Sequence, residues 1–333
     1  DILDTSGNKS VQFAAGTFTF TTGITIRAGT QVKAHGAILN FSTTGEDQAI
    51  SVEDNVSWAG GSITCTRVSG GTSGEAHCCF RIGHYSDGFG VKNIRIIDVT
   101  LAAENYENAN AIFISGPSSN IVIDGVTYGD SPSIGAVILA HWGSGDGDPT
   151  AGTFHPNNLK ISNIKVGTLT NTAPFTNALG VAVSISGCYA VNVSNVSILQ
   201  CRTPIEFVIG DYGFIYSGFA SQTIGGVVFE NVVSLLCTQT GAFIQNIATI
   251  PAIEHPAALK IVDCCFYGEF ASSTSPCIYL DKVSNTLIDN CIIQGWDTGV
   301  ATPSTATNVL FNHCVFLDLI SGIGTPIAGV TVQ

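Results

Sequence analysis

Apolar residues recur along this chain in a ten-residue pattern repeated ten times, beginning at residues 30, 54, 92, 119, 157, 189, 225, 257, 284 and 307. In SNIVIDGVTY from Ser119 and NNLKISNIKV from Asn157, the third, fifth, eighth and tenth places carry the apolar side chains. Such alternation marks a strand with one face buried. The seventh place interrupts it with Gly36, Gly60, Asp98, Gly125, Asn163, Asn195, Asn231, Asp263, Asn290 and His313, residue types that tolerate positive φ. Each copy therefore predicts a strand, a one-residue corner and a second strand. A further strand precedes most copies, in AIFIS at 111–115, AVILA at 136–140, VAVSI at 181–185, IEFVI at 205–209 and CIYLD at 277–281. Repeats of this size that cannot bury their own apolar face imply stacking, and three strands per turn make an all-β parallel β-helix of about ten coils. An antiparallel propeller would need regular Asn-Gly or Asp-Gly hairpin turns, which do not recur between the runs. Stacking also predicts that the second-place asparagines Asn93, Asn120, Asn158, Asn285 and Asn308 line up in columns bonded amide to amide.

Because each coil touches only its neighbours, all 333 residues read as one elongated domain: a lead-in segment at 1–29, coils over 30–320 and a C-terminal end at 321–333. The absence of methionine is what an excised central part of a longer chain would show. Charged residues are only 11% of the chain and mean hydropathy is +0.34, yet no uninterrupted apolar stretch is long enough for membrane insertion. A net charge of −13 argues against nucleic acid, which is held by basic stripes. The eleven cysteines are an odd number in a large protein. Cys264, Cys291 and Cys314 hold the eighth place, where other copies have valine or isoleucine, so free, buried thiols are expected, consistent with assembly in a reducing compartment.

The shortest spacings between copies, 23 and 24 residues, measure the bare coil, and longer ones report insertions. Three of these fall on one flank, at 141–156, 210–224 and 247–256, whereas the corresponding corner at 186–188 is short. This predicts a cleft whose floor carries Ser184, Ser186 and Tyr189 and whose walls are the first two loops. The first wall holds His141, Trp142, Asp146, Asp148 and His155; the second holds Asp211, Tyr212 and Tyr216 and follows a strand in which Glu206 alternates with the inward Ile205 and Phe207. Carboxylates beside aromatic rings suit sugar chemistry, the rings stacking on C–H faces and the acids moving protons. Glu206 and Asp211 are the expected catalytic pair, and His155 or Tyr212 is the candidate base for an elimination. His141, Trp142, Asp146, Asp148, Ser184, Tyr189, Tyr212 and Tyr216 are the expected binding residues. The histidine spacing matches no zinc motif and the DGD at 146–148 lacks the rest of a calcium loop, so no metal or cofactor is expected. Equally, His155-Pro156 can cap the next strand, and Trp142 and Tyr212 can plug their loops against the wall.

The opening AAGTFTFTTGITIRAGTQVKAHG resembles the start of the pectate-lyase-like β-helix superfamily, and HWG at 141–143, HP at 155–156 and GDYG at 210–213 are similar to a group of bacteriophage tailspike depolymerases. The resemblance implies a right-handed β-helix that assembles as a homotrimer on a virion tail, after folding in the host cytoplasm. Its partner would be bacterial surface polysaccharide, cut by an endo-glycosidase or, alternatively, a lyase. It falls on His141, Trp142, His155, Asp211 and Tyr212; Glu206 rests on strand alternation alone. A glycan-binding fibre or adhesin without catalysis is the remaining reading of the same loops.

Overall fold

The computed structural model describes residues 9–44, 48–69, 78–84, 89–104, 109–131, 134–141, 155–170, 180–209, 226–246, 258–268, 275–302, 306–319 and 330–332. Every element among them is a strand, and strands pair in parallel from one coil to the next. The chain is a right-handed parallel β-helix with three strands per coil. One face is a ten-stranded sheet running from Ile24–Ile26 to Thr298–Ala301, which we call the third face. The other two faces join around the predicted corner, because strands such as Lys92–Glu104, Asn157–Thr168 and Tyr189–Gln200 keep their pairing through it.

All ten seventh-place residues have positive φ, between 51° and 79°. That single left-handed residue turns the chain without inserting any others, so the register of one coil carries to the next. Inward side chains then stack like on like. The column Ile96, Ile123, Ile161, Val193, Phe229, Ile261, Ile288 and Phe311 follows the pairing coil by coil and is buried throughout.

The asparagine columns form as expected. Asn93 donates to Asn55 (2.8 Å), Asn120 to Asn93 (3.0 Å), Asn158 to Asn120 (2.6 Å) and Asn308 to Asn285 (2.5 Å). All of these residues have positive φ, so the ladder also stabilises a backbone shape that most residues resist. At the next two coils the place is taken by Ala190 and Gly226, and the ladder stops. A second ladder, not anticipated from the pattern, runs along the seventh place from Asn231 through Asn195 to Asn163 and ends on the sixth-place Asp124.

The cysteines are all free, Cys265 and Cys314 partly exposed and the rest buried. The eighth-place thiols of Cys264, Cys291 and Cys314 each donate to the carbonyl two residues earlier, at 3.3, 3.3 and 3.4 Å. The lead-in segment differs from expectation, for it already makes a coil of its own. Lys9–Gln12 and Gly16–Phe20 pair with the first repeat, and Ile24–Ile26 begins the third face. Alternation at Val11 and Phe13, and at Phe18 and Phe20, packs these side chains on the core, with Phe20 stacked on Phe41 at 4.6 Å. Among the described residues no helix is long and apolar enough to cross a membrane.

Candidate functional site

The third face carries a candidate site, for its strands are short, regular and closely in register, so outward residues of successive coils form columns about 4.8 Å apart per step. Ile205 and Phe207 point into the core, which turns Glu206 outward. Register places Ser184 on the coil before it, Phe243 on the coil after and Tyr279 one coil further. The Ser184 hydroxyl donates to Glu206 Oε2 at 2.5 Å, fixing the carboxylate along the column. The rings of Phe243 and Tyr279 lie 4.9 Å apart and nearly parallel, at 6°.

Glu206, Phe243 and Tyr279 border a cavity of about 420 Å³, lined also by Arg202, Gln239 and Thr240. Arg202 is held at its backbone: its N–H donates to the Gly180 carbonyl, and its own carbonyl accepts from Gln239 and Thr240 at 3.1 Å each. A Cβ on Gly180 would stand 3.2 to 3.5 Å from the Arg202 stem, a tight contact. Gly180 also has φ of +62°, a backbone shape that favours glycine. Burial, reinforced by the Asp281 charge, raises the Tyr279 pKa. The cavity thus brings together a carboxylate able to move a proton, a cation, amide and hydroxyl donors, and an apolar wall of stacked rings.

Arg202, Gln239, Thr240, Phe243 and Tyr279 were not among the residues singled out from the sequence. The signal was present for two of them, since Phe243 and Tyr279 hold the same outward place in their strands as Glu206. The cavity also opens at the corner where the third-face strands begin, with Val181, Thr203 and Pro276 at its edge, rather than at the flank where the strands end. Of the expected walls and catalytic partners, Trp142, Asp146, Asp148, Asp211, Tyr212 and Tyr216 lie outside the described residues.

His141 and His155 are described, and both are buried, 2% and 5% exposed. Strand alternation places His141 level with Ser115 and Ser186 on the neighbouring coils, and both serines are buried as well. His155 Nδ1 meets the Gly187 carbonyl at 2.5 Å, tying the return from the first long loop to the short corner of the next coil. Burial lowers the His155 pKa; the Gly187 carbonyl acts against this and the nearby His141 acts with it. Among the described residues His155 is therefore a fastening between coils, in keeping with a capping role for His155-Pro156. Tyr189 is exposed at the start of its strand, while Ser186 is buried with no hydrogen-bond partner for its hydroxyl. Among the described residues no three metal-ligating side chains converge.

No family model and no curated protein matches the sequence. Solved structures do match. The tailspike protein of E. coli bacteriophage HK620, as a double mutant, superposes with a TM-score of 0.59 at 12% identity, over 91% of this chain and 58% of its own. A family 28 exopolygalacturonase of Yersinia enterocolitica gives 0.58 at 12% identity, over 98% and 72%. PfbA, a surface adhesin of Streptococcus pneumoniae, gives 0.50 at 15% identity, over 94% and 83%. At such identities the likeness shows the fold. The chain spans little more than half the length of the tailspike it matches.

Proposed function

We propose that this chain binds and depolymerises polysaccharide on its third face, with Glu206 as the proton-transferring carboxylate. The observation that carries the proposal is the outward Glu206, held by Ser184, on a cavity walled by stacked aromatic rings. A glycosidic oxygen needs a proton as the bond breaks, and a sugar's C–H faces need apolar contact. Hydrolysis requires a second carboxylate, a role this reading assigns to Asp211. A tailspike and an exopolygalacturonase on the same fold support a polysaccharide as substrate, and one structure of that tailspike contains a hexasaccharide. In this reading the chain works on a phage tail, as a homotrimer, against the surface polysaccharide of a host bacterium.

One observation favours a second reading, elimination. A lyase must neutralise the carboxylate next to the carbon that loses its proton, and Arg202 supplies positive charge in the same cavity.

The two readings separate on incubation of the protein with capsular and O-antigen polysaccharides from candidate hosts, following chain length together with the ultraviolet absorbance of unsaturated ends. Shortening without new absorbance supports hydrolysis; new absorbance assigns elimination. Glu206→Gln is expected to abolish cleavage while leaving binding and folding intact, and wild-type cleavage by this variant would remove Glu206 from the mechanism. Binding without shortening of any glycan would leave an adhesin.

A further inference from the structure

We infer that the sugar taken by this cavity is anionic, a uronate or another carboxylate-bearing residue received by Arg202. The inference rests on the cavity being the glycan site proposed above and adds the class of sugar that it selects.

The protein's field works against such a ligand, for there are 25 acidic and 12 basic residues. A groove on this surface repels a polyanion unless the groove itself carries a cation. The cation is present, and it is built in from several directions. The Arg202 backbone is fixed to Gly180 on one side and to Gln239 and Thr240 on the other. Its stem passes close to Gly180, 3.2 to 3.5 Å from where a Cβ there would stand.

The chemistry of the group fits the same ligand. A guanidinium has five N–H donors in a planar fork, matched to a carboxylate in two-pronged fashion. That fork accommodates a ligand carboxylate in addition to contacts within the protein. Beside it, Gln239 and Thr240 supply neutral donors and acceptors for hydroxyls, and the Phe243–Tyr279 stack supplies the apolar wall. A neutral sugar would use the wall and the amides but would gain no bond in which both partners are charged.

The test is a binding array of bacterial polysaccharides, each present as purified and after reduction of its carboxylates to alcohols, probed with the wild-type chain, Arg202→Gln and Arg202→Lys. The expected result is retention of carboxylate-bearing glycans, at least about tenfold weaker binding after reduction or in Arg202→Gln, and an intermediate loss in Arg202→Lys. Circular dichroism of the variants confirms that the coils remain folded. Equal binding of a glycan before and after reduction, or binding unchanged in Arg202→Gln, overturns the inference and leaves the glycan site standing. Failure of the wild-type chain to retain any glycan overturns both.

Discussion

Ala190 stands in the asparagine column with φ of 53°, the one alanine among the positive-φ residues described, and it is the point where the ladder breaks. Replacing it with asparagine is predicted to stabilise the protein. Two contributions add. Asparagine is enriched several-fold over alanine in the left-handed region, which corresponds to about 1 kcal/mol. The new amide would also donate to Asn158 Oδ1 one coil away, as Asn158 does to Asn120 at 2.6 Å, for a net of about 0.5–1 kcal/mol at an exposed position. Ordering the side chain takes back about 0.5 kcal/mol. A gain of about 1 kcal/mol remains.

Spread over 333 residues, that gain moves a global melting temperature by only about 1–2 °C. The stabilisation is local in a solenoid, so the better assay is native-state hydrogen exchange across 189–195, where a gain of about 1 kcal/mol slows exchange about fivefold. Ala190→Gly separates the causes. It relieves the backbone but adds unfolded-state freedom worth about 0.5–1 kcal/mol, and is expected to be close to neutral. In an Asn158→Ala background the advantage of Ala190→Asn over Ala190→Gly should vanish. If Ala190→Asn is neutral or destabilising, or keeps its full gain without Asn158, the ladder is not what stabilises these corners.

A methyl group at Gly241 would sit 2.7 Å from Cys277 Sγ and 2.9 Å from the Phe266 ring; Gly241→Ala should cost about 1–3 kcal/mol in chemical denaturation, partly restored by adding Cys277→Ala, and an unperturbed midpoint would contradict this packing. A thiol reagent at mildly alkaline pH is expected to label the native protein only slowly, at Cys265 and Cys314, and all eleven cysteines after denaturation, since burial raises the Cys65 pKa to about 11 and contact with Cys264 helps raise Cys291 to about 12; rapid native labelling of more than two thiols would refute it. His155 has a lowered folded pKa, so its contribution to stability is fully present above the unfolded value of about 6.5 and is lost as pH falls toward the folded value. Thermal melts should show an acid-side loss of stability that His155→Asn or His155→Gln reduces, and an identical slope in those variants would exclude His155 as its source.

The coil was readable in the sequence because it depends on two local facts repeated ten times: alternation, and a residue able to hold positive φ at the corner. Both survive without any knowledge of neighbours, and all ten corners adopt the expected backbone. The lead-in coil was harder to see because it lacks the corner signature. Gly16 there has φ of 144°, and only its pairing with Ala37 shows that the segment is stacked rather than merely leading into the stack.

The site was legible only in part, for a different reason. A residue's outward direction can be read within one strand, and this identified Glu206. What shares a cavity with it depends on register between coils separated by insertions of unequal length, which is a property of stacking. Phe243 and Tyr279 lie 37 and 73 positions beyond Glu206 yet stand in its column, and Arg202 borders the same cavity with its stem passing close to Gly180 on the coil before. His141 and His155 show the converse: loops rich in polar groups suggest exposure, but both rings are buried, His155 against the Gly187 carbonyl and His141 level with two buried serines. In a solenoid the outward column is therefore a unit of chemistry alongside the inserted loop. A substitution at Gly180, which touches no substrate in this reading, is expected to alter glycan selection by shifting Arg202, because a Cβ there would press on the Arg202 stem at 3.2 to 3.5 Å and strain a backbone at φ of +62°.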